Sequence, residues 1–356
     1  METRADDRAE AEAFLFQLIA DAGRTTTVLL AALGDRLGLF KALDEGGPAA
    51  SAELAQRAAI HERYAREWLE AMASAGYLRY DPPSGRYRLP AEHAPALAHE
   101  GGPLFFGGTL QGLLGSVGTL PLLARAFREG GGVPMAAYGE DTWDGMERDM
   151  AGVYASRLVQ HWVPALPEVQ ALLERGARVA DVGCGRGRVL ILLAQAFPGS
   201  SYVGYDVYPP NVARARENAA AAGVGERARF ESLDAAAALP ESFDLIWTFD
   251  VVHDVADPLG LLRSIRAALR PGGRYVSLDI KCAERPEHRT HPMDTLRYGF
   301  SLLYCLTTAL GNGGEGLGTL GLTESRMRAL CAEAGFREVR VAPLDDRFHT
   351  LYEVIP

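Results

Sequence analysis

The stretch "RVADVGCGRGRVLILLAQAF", residues 178–197, carries a short apolar run, a loop with Gly183, Gly185 and Gly187, and a longer apolar run. The first run has the length and β-branching of a buried strand, and the second has the length of a helix. Glycines between them let the backbone approach a ligand closely, and the helix start offers unpaired N–H groups to a carboxylate or phosphate. The spacing is G-x-G-x-G, which departs from the G-x-G-x-x-G of a dinucleotide fingerprint.

Working outward, strand and helix patterns alternate. "SYVGYDV" (201–207), "ARFESL" (228–233), "FDLIWTFD" (243–250) and "RYVSLDI" (274–280) read as strands. Helical patterns separate them at 211–223 and at 257–273, the latter expected to stop at Pro-Gly-Gly. A further helix at 323–336 precedes the runs "REVRVAP" and "FHTLYEVI". Such alternation predicts an α/β fold with a seven-stranded, doubly wound and largely parallel sheet. The short turn before the final run makes the last strand antiparallel. Asp206 then falls at the end of the second strand and Asp234 after the third, both at the carboxyl edge where open α/β sheets bind ligands.

The first half reads differently. Residues 11–45 form two amphipathic helical patterns. From Ser51 to Pro90 a helix, a turn, a second helix and two short alternating runs around "DPPSG" predict a winged helix. Residues 1–90 hold 11 Lys and Arg against 14 Asp and Glu, and the helix that would enter a DNA groove has two Arg against three Glu. A DNA-reading helix sits in a basic stripe, so dimerisation or packing is the expected role, with no nucleic-acid partner. The expected domains are 1–95, a helical linker at 96–164 that contributes to the substrate pocket, and a catalytic domain at 165–356 with a lid near 281–321.

A net charge of −10 argues against a general binder of nucleic acid or anionic membrane. The uncharged stretch 101–124 is long enough to span a bilayer, but seven glycines and two prolines make a buried helix the better expectation. Cys184, Cys282, Cys305 and Cys331 are widely spaced, which suits a reducing, cytoplasmic setting and predicts no metal site. The N-terminal residues show no hydrophobic leader pattern.

In "DVGCGRG", "YVGYDV", "SLDA", "FDLIWTFDVVHD" and "ALRPGGRYVSLD", taken in this order and spacing, the chain resembles class I S-adenosylmethionine-dependent methyltransferases. The resemblance implies Asp181 and the three glycines around the methionine part of the cofactor. It also implies Asp206, with Val207, on the ribose, Asp234 and Ala235 near adenine, and Phe249 and Asp250 bordering the cofactor. The whole chain resembles the actinobacterial natural-product subfamily with an N-terminal winged helix, related to plant-type O-methyltransferases. In that group the winged helix mediates homodimerisation, which implies a homodimer here.

On the acceptor side, transfer to a phenol, alcohol or acidic carbon needs a base, and histidine titrates near neutrality. The resemblance to plant-type enzymes implies His253 as that base, oriented by Asp279. A second orienting acid is replaced here by "GLGTLGL" (316–322), and Asp254 reads as a cap or turn residue. Candidate acceptor-lining positions are Trp143, Tyr154, Trp162, His291, Met293, Arg297, Tyr298 and Tyr304, which suit a flat, mostly apolar small molecule. Arg297 could equally pair with Asp294. The alternatives are methyl transfer to nitrogen or carbon by positioning alone, a cofactor-sensing winged-helix regulator, and a nicotinamide-dependent oxidoreductase.

Overall fold

A computed structural model describes residues 2–356, with side chains from Asp7 onward. The chain divides into two compact units: one holds the residues up to 114 together with 141–152, and the other holds 115–140 and 153–356. The stretch 96–164 is therefore shared between the two.

The first unit opens with helix α1 (Glu2–Arg36), which breaks where Gly38 adopts φ +68°, and a short helix, Leu39–Gly46, follows. Helices Ser51–Ala58 and Glu62–Ser74 and a hairpin of β1 (Arg79–Asp81) and β2 (Arg86–Arg88) complete a winged helix. Ser51 does not cap its helix; the backbone N–H of Ala50 donates to Glu53, while the Ser51 hydroxyl donates to Glu62. The core is Phe40, Leu43, Leu54, Leu69 and Met72 around Trp68, whose indole N–H donates to the Leu30 carbonyl at 2.9 Å.

Residues 141–152 join this unit by close backbone packing. A Cβ added at Gly145 would lie 2.5 Å from the Gly112 nitrogen, and one at Gly108 would lie 2.2 Å from the Asp149 nitrogen. Glycine richness in 101–124 thus serves helix–helix contact, and among the described residues no helix is long and apolar enough to cross a membrane. Arg148 adds an ion pair to Asp35 at 2.9 Å and one to Glu100 at 2.7 Å.

The second unit is built on a seven-stranded sheet of order β5-β4-β3-β6-β7-β9-β8. Its strands are β3 (Arg178–Val182), β4 (Ser201–Asp206), β5 (Ala228–Ser232), β6 (Phe243–Phe249), β7 (Leu269–Ile280), β8 (Glu338–Val341) and β9 (His349–Ile355). The pairs among β3 to β7 are parallel, and β9 runs antiparallel between β7 and β8. Both faces are covered, so alternate residues enter opposite cores: Val179, Leu245 and Trp247 on one side, Ala180, Ile246 and Tyr275 on the other. One boundary differs from expectation. The helix after β6 ends at Ala268, and β7 already runs through Pro271-Gly272-Gly273, with a register shift against β6 between Phe243 and Leu245.

The two glycine environments make opposite predictions. Alanine is favoured over glycine in a helix interior by about 1 kcal/mol, yet at Gly145 the added methyl meets backbone. Gly145→Ala should destabilise the protein by about 1–3 kcal/mol in urea titration. Gly299→Ala, in helix Pro292–Phe300 with nothing within 4 Å of the new methyl, should be neutral or stabilising.

Candidate active site

The carboxyl edge of the sheet gathers the acidic residues that the strand order predicts. Asp206, at the end of β4, accepts from the Gly185 N–H and from the Tyr208 N–H, both at 2.8 Å. It thereby ties the loop after β3 to the end of β4. Asp181, inside β3, is buried, and its Oδ1 receives no hydrogen bond from the described residues. Burial, with Asp206 nearby, holds the Asp181 carboxyl well above the usual carboxylate range. Such an orphaned buried acceptor calls for a donor from outside the chain, an ammonium or hydroxyl. Gly185 has φ +51° and open space where a side chain would stand, leaving room beside the loop. Val207 and Asp234 are exposed, Ala235 is buried, and Asp234 accepts from the Ala236 N–H in a tight turn.

The loop touches the turn that follows β6. A Cβ at Gly183 would lie 2.4 Å from the Val251 side chain, so the residue at 183, with φ +73°, has to be glycine. Val251 belongs to the turn Asp250–Asp254. Asp250 itself has φ +54°, one of two non-glycine residues with positive φ among those described, and its N–H donates to the Leu278 carbonyl at 2.8 Å.

His253, buried in that turn, is held on both sides. Its Nδ1 is 2.6 Å from Asp279 Oδ1, at the end of β7, and its Nε2 is 3.1 Å from Asp254 Oδ1. Burial would lower the affinity of the ring for a proton, but the carboxylates of Asp279 and Asp254 prevail and hold it well above the ordinary histidine range. The two acids therefore favour the protonated ring. Asp254 is not the helix cap; Asp257 is, accepting from the Gly260 N–H at 2.8 Å. The second acid on His253 is thus its own neighbour, supplied by the turn instead of by the glycine-rich segment 316–322. Ligand atoms of His253, Asp254 and Cys305 lie within 4.8 Å of one another, as do those of Asp250, His253 and Asp279. In the first set Asp254 engages the ring, and in the second Asp279 does, so these are charge clusters.

Aromatic side chains pack beside this turn. Phe249 stacks on Trp247 at 5.3 Å and meets Tyr154 edge-on at 5.6 Å; Trp162 lies 6.3 Å from Phe249. Trp162 is a core residue, and Tyr154 is half-buried. Tyr304 is buried and meets Tyr138 edge-on at 5.2 Å. Arg297 is not free to meet an acceptor carboxylate, because its guanidinium donates to the carbonyls of Lys281 and Phe348 at 2.7 and 2.8 Å. Asp294 lies 3.8 Å away. His291 caps helix Pro292–Phe300 through Met293, a half-buried residue, and Tyr298 accepts from Arg289 at the surface. Trp143 is buried within the first unit.

One residue at this edge has no sequence signal. His349, the first residue of β9, places Nε2 3.4 Å from Asp250 Oδ2 and Nδ1 3.8 Å from Asp346 Oδ1. Burial opposes its charge, but Asp250 and Asp346 raise its titration to about 10.

Residues 180–275 match the family described as "Methyltransferase domain", and residues 25–99 match the "Rv2258c-like winged HTH domain". A ubiquinone biosynthesis O-methyltransferase of Cereibacter sphaeroides (strain KD131 / KCTC 12085) is 38% identical over 101 residues, 28% of this chain and 40% of that protein. O-demethylpuromycin-O-methyltransferase of Streptomyces alboniger is 30% identical over 165 residues, 46% of this chain and 40% of that protein. The chain thus spans about 40% of the length of the curated relatives it matches. Human N-acetylserotonin methyltransferase in complex with SAM shares the fold at a TM-score of 0.71 and 22% identity, covering 96% of this chain and 97% of that one. The mitomycin 7-O-methyltransferase MmcR does so at 0.70 and 21%, covering 99% of each.

Imidazole nitrogen NMR checks the charge state. The rings of His253 and His349 should both remain doubly protonated at pH 8, and Asp254→Asn should lower the His253 midpoint by removing one countercharge. A neutral His253 ring at pH 8 in the unmodified protein would contradict the arrangement.

Proposed function

We propose that this chain, whose residues 180–275 form a methyltransferase domain, transfers a methyl group from S-adenosylmethionine to an oxygen of a small, largely aromatic natural-product acceptor. The observation that carries this reading is the direct packing of the glycine loop on the His253 turn, which brings a cofactor cradle and a buried His–Asp pair to one sheet edge. The O-methyltransferases among the matched relatives support the choice of oxygen.

Bound S-adenosylmethionine supplies a methyl group on a sulfonium, which needs an in-line nucleophile about 3 Å away and little water. The unpartnered Asp181 and the loop of Gly183, Gly185 and Gly187 would hold its methionine part. Asp206 with Val207 would take the ribose, Asp234 and Ala235 the adenine, and Phe249 and Asp250 would border it. His253 serves as the general base, and Asp279 on Nδ1 fixes its tautomer and orientation. The acceptor hydroxyl takes the place of Asp254 at Nε2 and gives its proton to that nitrogen. A bound S-adenosylmethionine would give its methyl to that oxygen as its carbon–sulfur bond breaks, with the methyl ether and S-adenosylhomocysteine as products. Because the ring must first be neutral, the rate should climb with pH above the ordinary histidine range. Engagement of both ring nitrogens favours a second reading, in which His253 stays an imidazolium and transfer to nitrogen or carbon proceeds by positioning alone.

Partner choice follows from the first unit. Side chains 7–26 of helix α1 are all exposed, and Phe14, Leu15, Phe16, Leu18 and Ile19 stand in solvent. A helix this apolar needs a cover. A second copy of the same helix supplies it by two-fold symmetry, giving a homodimer. A DNA partner is disfavoured, since Arg63 and Arg66 of the second winged-helix helix are paired with Glu67 and Glu62. The four free cysteines suit the cytoplasm.

Methyl transfer from radiolabelled S-adenosylmethionine across a panel of phenols, amines and acidic carbon compounds tests the reading. His253→Ala should retain cofactor binding and lose about 10²–10⁴-fold in O-methylation, with partial return at high pH. Unchanged turnover would remove His253 from the chemistry and leave the second reading. Light scattering of a Phe14→Glu, Phe16→Glu variant should report a monomer where the unmodified chain is a dimer. A monomer in both removes the dimer.

A further inference from the structure

The antiparallel strand β9 introduces a second, half-buried histidine to the site, and the reaction assigned above does not use it. His349 faces Asp250, whose own Oδ1 is buried without a hydrogen bond among the described residues. Asp250, His253 and Asp279 bring one ligand atom each within 4.8 Å. Two imidazoles and two carboxylates therefore form one chain, His253–Asp279–Asp250–His349, with anions adjacent in the middle and cations at the ends.

We propose that His349 is a positioning residue for His253: it compensates Asp250 so that Asp279 can stay paired with the acceptor-side ring. The proposal rests on the methyltransferase reading for its functional meaning, but the electrostatic link stands on the geometry alone.

Among the cations around Asp250, His349 is the one in ion-pair contact with it, and Arg297 acts on it from farther off. Asp346, the other acid on His349, is claimed by Arg157 at 2.9 Å and by the N–H groups of Phe348 and His349. Lys281 donates its backbone N–H to the Phe348 carbonyl and reaches the Asp346 carbonyl with its ammonium. Arg297 is bound to the carbonyls of Lys281 and Phe348. On the other side, Asp279 faces His253, Asp250 and the Ile280 N–H, and His253 faces Asp279, Asp254 and the Cys305 thiol. The backbone of Asp250 is fixed at φ +54° by its N–H bond to the Leu278 carbonyl. Without the His349 charge, the uncompensated carboxylate beside Asp279 makes the potential at His253 more negative, so that ring holds its proton more tightly. A base that must become neutral is then harder to prepare.

Imidazole nitrogen NMR of the full-length protein from pH 6 to 11 tests this. His349→Gln keeps an N–H for Asp250 and removes the charge; it should raise the proton affinity of His253 about tenfold. His349→Lys, which restores a cation, should return the midpoint toward that of the unmodified chain. Asp250→Asn removes the anion and should shift His253 the opposite way, and it keeps the proposal testable if the His349 variants fail to fold. A purely packing role for His349 predicts a lower Tm with an unmoved His253 midpoint in all three, and that result overturns the proposal. Calorimetry with S-adenosylmethionine on the same samples reports the methyltransferase reading separately: no binding to the unmodified chain sinks that reading and leaves the coupling standing.

Discussion

A carboxylate removed from water must find hydrogen bonds or an opposite charge, and this constraint organises the carboxyl edge of the sheet. Asp181, Asp206 and Asp279 are all buried there, with Asp250 and Asp254 partly so. The chain compensates them unequally. Asp206 accepts from two backbone N–H groups, and Asp279 and Asp250 each meet a histidine on one oxygen, His253 and His349, while their other oxygens are buried without a hydrogen bond among the described residues. Asp181 likewise keeps one oxygen with no donor among the described residues.

The topology explains why these groups meet. Parallel strands β3, β4, β6 and β7 deliver their ends to one edge, so Asp181, Asp206, Asp250 and Asp279 arrive there from four separate strands. The antiparallel β9 runs the other way and begins where the others end, which brings His349 to the same edge as the first residue of its strand. Gly183 closes the arrangement: with no side chain, the loop packs onto Val251 and draws the His253 turn against the cradle. The cluster depends on the order of strands and on one missing Cβ.

Much of this was legible in the residues. Glycines at 183, 185 and 187 after a β-branched run, with Asp206 a strand later, announce the cradle, because loop conformation and strand-end position are local properties. The His253–Asp279 pair was within reach only through the resemblance to plant-type enzymes, which implies an orienting acid at the end of the following strand. Long-range partners were not. Whether Asp254 would cap a helix or face His253 depended on Asp257 taking the cap instead. Arg297 looked available for an acceptor until the carbonyls of Lys281 and Phe348 were found on it. His349 carries no pattern, because its role arises only when β9 is inserted between β7 and β8. The uncharged stretch 101–124 showed its glycines, but their use, contact with 145 and 149, needed the packing of a distant helix.

The central claim is that the cradle accepts S-adenosylmethionine. Titration calorimetry of the unmodified chain against S-adenosylmethionine, S-adenosylhomocysteine and NAD(P)H addresses it most directly. The account predicts one site per chain for which the first two compete, weakened by Asp206→Ala, and no heat with the nicotinamide. Tight NAD(P)H binding without S-adenosylmethionine binding would contradict it.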